Sequence, residues 1–482
     1  MGLPDSSISG LVDLAGARVL VAGARVTGAS AARVLGELGA AVTVTDSSPA
    51  QLSALAGTGA QLSVGLSAPP PGTDLVVTSP GLRPDSALLV AAQQAGVPVI
   101  GDAALARWVD CVQSKDSGRA CAEWLVVTGT NGKTTTVGML ESILRAAGLD
   151  AVACGNIGLP VLDAVREGHR MLAVELSSFQ LHWSPELYPR AAVVLNVSAD
   201  HLDWHGSMAG YAAAKGSVYT DRTSAVFNLD DEWSTRLAAA SRVGGRAGTG
   251  FTTGAPRPGE LGVVGARLVD LAFGDAGNAT VLADLADVRP GGAHNVANAL
   301  AAAGLARTVG VSAQAVAEGL RTFVPGGHRG VVVGERAGVR YIDDSKATNP
   351  HAARAALLAH DRVVWVAGGL LKGADVNELV ADVRGRLVGA VLLGADRAII
   401  ATALARHAPQ VPVQMVDSGD DGAMTEVVAA AADLARPGDV VLLAPAGASM
   451  DMFADYAQRG RAFAAAASAL GAPRQRDGGV GR

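Results

Sequence analysis

The sequence predicts an α/β protein of three domains: a Rossmann-like N-terminal domain, a central P-loop ATPase-like mononucleotide-binding domain and a Rossmann-like C-terminal domain. Three observations predict it. Short apolar runs alternate with helical stretches along the whole chain, which is the pattern of parallel sheets. Glycines and polar residues follow those runs, where the carboxyl edge of a sheet gathers a site. The chain has 482 residues, a length that suits three domains. Hydrophobic residues make up 49% and aromatic ones only 4%, so the core has to be built mostly from Ala, Val and Leu.

The first domain is expected over 1–114. Arg18–Gly23 reads as a strand, Gly28 opens a helix to about Leu38, and Val42–Asp46 is a second strand ending in an acid. A dinucleotide fingerprint would need a glycine at 25, so that backbone can touch a pyrophosphate, and Arg25 stands there. That argues against NAD but not against another nucleotide, and a plain strand–helix turn fits the stretch as well. Asp74–Thr78 is a further strand, followed by the turn Ser79-Pro80-Gly81, a helix around Ser86–Ala95 and a strand Val97–Ile100. Val26, Thr27, Asp46 and Ser79 to Gly81 should converge on one crevice. The polar stretch Gln113–Arg119 reads as a linker.

The central domain is expected over 115–325. Leu125-Val126-Val127-Thr128 runs into Gly129-Thr130-Asn131-Gly132-Lys133-Thr134-Thr135, with a helical pattern from Val137 to Ala147. Glycines let backbone N–H groups approach phosphate oxygens, and the helix N-terminus adds its positive dipole end. Lys133 supplies a cation for the outer phosphates, and the Thr134 hydroxyl is placed for Mg²⁺. The general pattern would have a glycine where Val127 stands. A short strand Ala151–Ala153 and the string Gly155-Asn156-Ile157-Gly158 follow. Met171–Glu175 is an apolar run ending in a carboxylate, either a metal-holding acid beside the phosphate loop or a plain strand-end glutamate. Ala191–Asn196 is another buried strand, and Asp200-His201-Leu202-Asp203 leaves it. On their own His201 reads as a loop histidine and Lys215 as a solvated helix lysine. Residues 244–292 are rich in Gly and Pro, with weak β character near Gly262–Phe273. Asn295 and Asn298 share one face of a helix running to about Val309, where they either read a purine edge or cap the helix.

The third domain is expected over 326–482. Arg340–Asp344 is a strand ending in two acids, followed by Ser345-Lys346-Ala347-Thr348-Asn349-Pro350 and a helix His351–Ala359. Val363–Ala367 leads to Gly368-Gly369 and Lys372. Val391–Gly394 and Val440–Ala444 are two more strands, the last reaching Ser449, where the final helix is expected to start. The polar tail from Gly471 is expected to be disordered.

The net charge of −6 argues against a nucleic-acid partner, which demands a basic face. Cys111, Cys121 and Cys154 form neither a disulfide framework nor a metal spacing. With no signal peptide and no apolar stretch of membrane-spanning length, a cytoplasmic protein without a membrane span is expected, as is a monomer.

Several strings stand in one order: Thr-Gly-Thr-Asn-Gly-Lys-Thr, Gly-Asn-Ile-Gly, Glu-Leu-Ser-Ser-Phe-Gln, Asn-Val-Ser-Ala-Asp-His-Leu-Asp, His-Asn-Val-Ala-Asn, Gly-His-Arg, and Asp-Asp-Ser-Lys-Ala-Thr-Asn-Pro. Together they resemble the Mur ligase family over nearly the whole chain. Asp343 to Asn349 and Ser449-Met450-Asp451 look like the members that join D-glutamate to UDP-N-acetylmuramoyl-L-alanine. The resemblance implies an ATP-dependent amide ligase working through an acyl phosphate. It implies that Gly129 to Thr135 hold the ATP phosphates, with Thr134 and Glu175 on one Mg²⁺. His201 and Lys215 match a second metal site, in which the lysine is carbamylated. Asn295 and Asn298 match adenine readers, and Arg329 and Asp344 match further nucleotide contacts. Lys346 would stabilise the transferring phosphoryl group. Thr348, Lys372, Ser449, Met450 and Tyr456 match the surroundings of D-glutamate, although the family often has Phe at the last. Val26, Thr27, Asp46, Ser47, Ser79, Pro80, Gly81, Asn156 and Ser177 match the UDP-sugar side. Folylpolyglutamate synthetases share the phosphate loop but resemble only the last two domains. A scaffold protein without turnover is disfavoured by the intact Lys133, Glu175, His201 and Lys215.

Overall fold

Strand and helix alternate as expected and resolve into three sheets in the computed structural model, which describes residues 14–185, 187–241, 248–274, 278–417 and 422–470, the side chains of 115–117 excepted. In the first sheet β1 (Arg18–Ala22), β2 (Ala41–Asp46), β3 (Gln61–Val64), β4 (Leu75–Thr78) and β5 (Val99–Gly101) are all parallel, in the order β3-β2-β1-β4-β5. The chain reverses its direction of growth between β1 and β4, which opens a crevice at their carboxyl ends. Gly23 turns there with φ 106°, and a Cβ on Gly28 would lie 1.9 Å from the Gly23 carbonyl oxygen. The helix Val26–Glu37 therefore rests directly on the turn. The edge strand β3 escapes sequence reading because its residues are half-exposed or exposed and mixed in polarity.

The expected linker at Gln113–Arg119 is corrected by a helix, Asp102–Ser117, that runs through most of it. Its apolar face (Ala103, Ala104, Leu105, Ala106, Val109 and Cys111) is buried, and a helix held along that face extends at little cost into a polar end. The turn back to the sheet comes at Gly118, φ 65°.

The second sheet contains β6 (Glu123–Thr128), β7 (Ala151–Gly155), β8 (Met171–Glu175), β9 (Ala191–Val194), β10 (Ser224–Asn228), β11 (Thr249–Phe251), β12 (Glu260–Val264), β13 (Arg267–Asp270) and β14 (Thr280–Asp284). Their order is β14-β13-β12-β11-β10-β9-β6-β8-β7. The weak β signal near 262–273 belongs to an antiparallel extension, β12 to β14, on an otherwise parallel sheet. β6 lies between β8 and β9, so the phosphate loop, Glu175 and Asn196 leave the sheet at the same edge. The apolar runs of β6, β8 and β9 are continuous because both faces of the sheet are covered. One cover is the helix Ala293–Thr308, whose Ala299, Ala301, Ala302, Ala303 and Ala306 are fully buried. Small side chains let that helix lie close, which is how a chain poor in aromatics fills its core.

These two sheets belong to one compact unit, Met1–Val288 with Val296–Phe323. The second unit, Arg289–Asn295 with Val324–Arg482, carries β15 (Val331–Arg336), β16 (Val339–Asp343), β17 (Val363–Gly368), β18 (Leu387–Leu393), β19 (Val413–Met415) and β20 (Val440–Ala446). The order is β15-β16-β20-β17-β18-β19, with only β15 antiparallel to its neighbour. The final helix does not start at Ser449. It spans Tyr456–Ala469, because Asp455 is its N-cap and accepts from the Gln458 N–H at 2.7 Å. Ser449 opens a turn instead, its carbonyl accepting from Met452 and Phe453. The tail from Gly471 lies outside the described residues.

Candidate active site

The phosphate loop is held from both neighbouring strands. Asn196, just past β9, accepts from the Asn131 N–H through Oδ1 at 2.9 Å and from the Thr130 N–H through its carbonyl at 2.9 Å. The Thr130 hydroxyl meets the Tyr211 hydroxyl at 3.2 Å and accepts from the Ser198 N–H at 3.0 Å. Gly132 is the N-cap of the helix Lys133–Ala146 with φ 86°, and a Cβ there would lie 2.3 Å from Asn298 Oδ1. The glycine thus serves the turn and also the close approach of Asn298. The N–H groups of the first helical turn face the space beyond the loop, where an anion is favoured.

Two lysines share one acceptor. Lys133 Nζ donates to the Gly129 carbonyl at 2.9 Å and to Thr130 at 2.9 Å, while Lys215 Nζ donates to the same Gly129 carbonyl at 2.8 Å. The reading of Lys215 as a solvated lysine is overturned, since it is 1% exposed. The helix Met208–Gly216 turns it inward, over the Tyr211 ring at 4.5 Å. Burial first, and then the Lys133 charge, push its pKa well below the usual lysine value.

Glu175 ends β8 and is 2% exposed. Its Oε2 accepts from the Thr134 hydroxyl at 2.6 Å and its Oε1 from the Asn156 amide at 3.1 Å. Asn156, expected on the sugar side, therefore sits against the acid. Among the described residues no group of three or more His, Cys, Asp and Glu side chains forms a metal cluster. One carboxylate beside one hydroxyl at a phosphate loop nonetheless fits Mg²⁺, which takes one or two carboxylates and completes its shell with phosphate oxygens and water.

His201 stands at φ 53° at the start of the short helix Leu202–His205, its Nε2 3.5 Å from Asp200. It joins an aromatic group of Phe179, Trp204, His205 and Tyr211. His205 stacks on Phe179 and lies 2.9 Å from the Ser178 hydroxyl. Burial, and then the neighbouring His182, His201 and Lys215, push His205 down to about 4. Between that value and the ordinary histidine value the unfolded chain takes up a proton and the folded one does not, so stability falls as pH drops from about 6.5 towards 4. Denaturant titrations across that window should show a shallower fall for His205→Gln than for the natural protein.

In the first sheet Val26, Thr27, Asp46, Ser47, Ser79, Pro80 and Gly81 stand at or beyond the carboxyl ends of β1, β2 and β4. Asp46 accepts from the Ala24 N–H at 2.8 Å and the Ser48 N–H at 2.9 Å, tying the β1 and β2 turns together. Ser79 backs onto Gly23, and its buried hydroxyl lacks a hydrogen-bond partner. Thr27, Pro80 and Ser177 are half-buried, while Val26, Ser47 and Gly81 are exposed. Ser177 and Gln180 form a capping box on the helix Ser178–His182.

Asn295 and Asn298 are both buried on one helix, and the Asn295 amide donates to the Gly291 carbonyl at 3.2 Å.

In the second unit the loops after β16, β20 and β17 are neighbours. Burial pushes Asp344 up to about 7 against the pull of Arg329. Lys346 Nζ lies 3.9 Å from the Tyr456 ring centroid. Ser449 is buried, Met450 is exposed, Thr348 is half-buried, and Lys372 adopts φ 54°. Sequence reading missed Arg459, which is 1% exposed. Its guanidinium donates to the Ser345 hydroxyl at 2.9 Å, the Ser345 carbonyl at 2.9 Å and the Gly447 carbonyl at 3.1 Å, clamping two of these loops. The available signal was its place four residues before the buried Phe463, on the apolar face of the final helix.

Residues 127–306 match the Mur ligase middle domain, 328–447 the Mur ligase glutamate ligase domain, and 6–103 the alanine dehydrogenase/PNT C-terminal domain. The UDP-N-acetylmuramoylalanine--D-glutamate ligase of Streptomyces coelicolor is 54% identical, over 95% of this chain and 99% of that protein. The protein of the same description from Nocardia farcinica is 51% identical, over 97% and 99%. Among solved structures, UDP-N-acetylmuramate-alanine ligase MurC of Thermotoga maritima superposes with a TM-score of 0.57 at 19% identity, covering 94% of this chain and 99% of that one. MurF of Acinetobacter baumannii gives 0.57 at 18%, covering 92% and 91%. At such identities these two likenesses speak for the fold alone.

Proposed function

The chain belongs to the Mur ligase family, and on that premise we propose that it joins D-glutamate to UDP-N-acetylmuramoyl-L-alanine, with ATP converted to ADP and phosphate. This is an ATP-dependent amide ligation of peptidoglycan precursor synthesis. The observation that carries the chemistry is the pair of lysines on the Gly129 carbonyl beside the Thr134–Glu175 contact. The choice of substrates rests on the near full-length likeness to the D-glutamate ligases.

A carboxylate is a poor electrophile, and phosphorylation gives it a leaving group. The terminal carboxylate of UDP-N-acetylmuramoyl-L-alanine attacks the γ-phosphorus of ATP and releases ADP. The amine of D-glutamate then attacks the acyl phosphate, loses a proton and expels phosphate. The protein positions the reactants and offsets charge. Lys133, released from Gly129 and Thr130, turns to the phosphate oxygens that the loop N–H groups cradle. Thr134 and Glu175 would hold Mg²⁺, which would supply further positive charge there. Lys346 adds a cation for the phosphoryl group.

Lys215 serves as an N-carboxylated side chain in this reading. Only a neutral amine attacks CO₂, and its burial beside Lys133 favours that form. The carbamate carries a negative charge and, with His201, can hold a second Mg²⁺, which an ammonium cannot. Asn295 and Asn298 read adenine, and Arg329 and Asp344 contact the nucleotide. The domains 1–114, 115–325 and 326–482 take the UDP-sugar, ATP and the amino acid. Thr348, Lys372, Ser449, Met450 and Tyr456 surround D-glutamate.

Phosphate release from ATP should require both UDP-N-acetylmuramoyl-L-alanine and D-glutamate. Release with L-lysine or meso-diaminopimelate but not D-glutamate would refute the substrate assignment. The Lys346–Tyr456 contact gives a second expectation. A cation–ring contact contributes about 0.5–2 kcal/mol, so Tyr456→Ala should lower kcat/KM for D-glutamate by about two- to thirtyfold. Tyr456→Phe keeps the ring face and should stay close to the natural enzyme; equal losses in both variants would count against the contact.

A further inference from the structure

A buried side-chain chain links the first sheet to the residue two positions beyond Glu175. Asp102 opens the helix that follows β5 and is 6% exposed; Gln180 is 1% exposed. The Gln180 amide nitrogen donates to Asp102 Oδ2 at 2.9 Å. On its other side Gln180 Oε1 accepts from the Ser177 N–H at 3.0 Å and from the Ser177 hydroxyl at 3.2 Å. The same two elements are tied by backbone, since the Gly101 N–H donates to the Trp183 carbonyl at 2.6 Å. A carboxamide can be turned end for end with little change of shape, and the two orientations offer opposite hydrogen-bonding groups. Two groups select one here: the Ser177 N–H, which can only donate, and Asp102, whose Oδ2 faces the amide nitrogen as an acceptor. Asp102 also lies in the first turn of its helix, where a carboxylate is favoured, so one acid serves both the helix start and Gln180.

We propose that Asp102 is a positioning residue for the ligase reaction: by fixing the orientation of Gln180 it holds the Ser177 hydroxyl and N–H in the geometry that receives the UDP-linked substrate. The inference rests on the reading of Ser177 as a contact to that substrate. Without Asp102 the amide nitrogen is left unpaired in the interior, and the Gln180 side chain loses the anchor that holds its Oε1 against Ser177. Asn at 102 keeps an oxygen facing Gln180 and preserves the arrangement.

The test compares steady-state kinetics of Asp102→Ala, Asp102→Asn, Gln180→Met, Ser177→Ala and the Ser177→Ala/Asp102→Ala double variant. Loss of one buried hydrogen bond leads us to expect a KM for UDP-N-acetylmuramoyl-L-alanine raised about tenfold in Asp102→Ala. The KM for ATP and kcat should hold within about twofold, since the change is confined to one substrate's binding. Gln180→Met should reproduce the rise if Asp102→Ala does not fold. Asp102→Asn should restore the natural KM, and the double variant should be no worse than the worse single one, because both act on one path. The proposal is overturned if Asp102→Ala leaves that KM unchanged, if all substrates and kcat suffer alike, or if Asp102→Asn is as impaired as Asp102→Ala. A silent Ser177→Ala beside an impaired Asp102→Ala would remove both the relay and the placing of Ser177. An impaired Ser177→Ala beside a silent Asp102→Ala would remove the relay alone.

Discussion

Lys215→Ala is expected to lower the ligation rate by about ten- to a hundredfold, the range seen when groups that tune a metal site are removed. Short carboxylic acids such as acetate should restore part of it. The reasoning starts from one hydrogen bond: Lys215 Nζ and Lys133 Nζ both donate to the Gly129 carbonyl. Two ammonium groups so close repel, and Lys215 is the more deeply buried, so its proton is held well below the usual lysine strength. In the proposed carbamate a neutral buried amine has attacked CO₂, and loss of a proton would leave an anion beside Lys133 instead of a second cation. Alanine removes the anion and opens a small space that a free carboxylate can enter. A rate unaffected by Lys215→Ala would exclude the carbamate. With the natural protein, ¹³CO₂ should give a carbamate carbon signal that Lys215→Ala lacks.

Lys215 also shows where the sequence stops being informative. Its helix, Met208–Gly216, carries mostly Ala and Gly around it, so no apolar stripe marks which face is inside. Burial there is decided by how the helix docks, and that is tertiary information. The phosphate loop is the opposite case. Gly129 and Gly132 take φ 154° and 86°, conformations that demand glycine, so the chemistry is written into adjacent residues. Glu175 was legible for a similar reason, as an acid ending an apolar run. The sheets were legible because buried parallel strands are continuous in hydrophobicity, and the half-exposed β3 was lost by the same criterion. Polarity misled at 113–117, where a helix continues past its buried stretch. The Asp102–Gln180 contact joins residues 78 apart with no local pattern, and only the folded chain reveals it.

Glu175→Gln should leave the fold intact and still abolish most turnover. The variant keeps the size of the side chain, and its amide oxygen can still accept from either Thr134 or Asn156, so the melting temperature should stay close to that of the natural protein. What it removes is the charge. The Thr134 hydroxyl donates a hydrogen bond to Glu175 Oε2 at 2.6 Å. To present oxygen to a cation, that hydroxyl has to keep a lone pair facing outward, and the carboxylate holds its proton in the opposite direction. The pair is thus set for a cation before one arrives, and a neutral amide offers a weaker acceptor and no compensating charge. Losing one such electrostatic group costs about a hundred- to a thousandfold in kcat. The half-maximal Mg²⁺ concentration should rise in Glu175→Gln, because the site's own negative charge is gone. Should Glu175→Gln reach the natural rate at the natural Mg²⁺ requirement, the acid that ends β8 is structural, and the cation is held elsewhere.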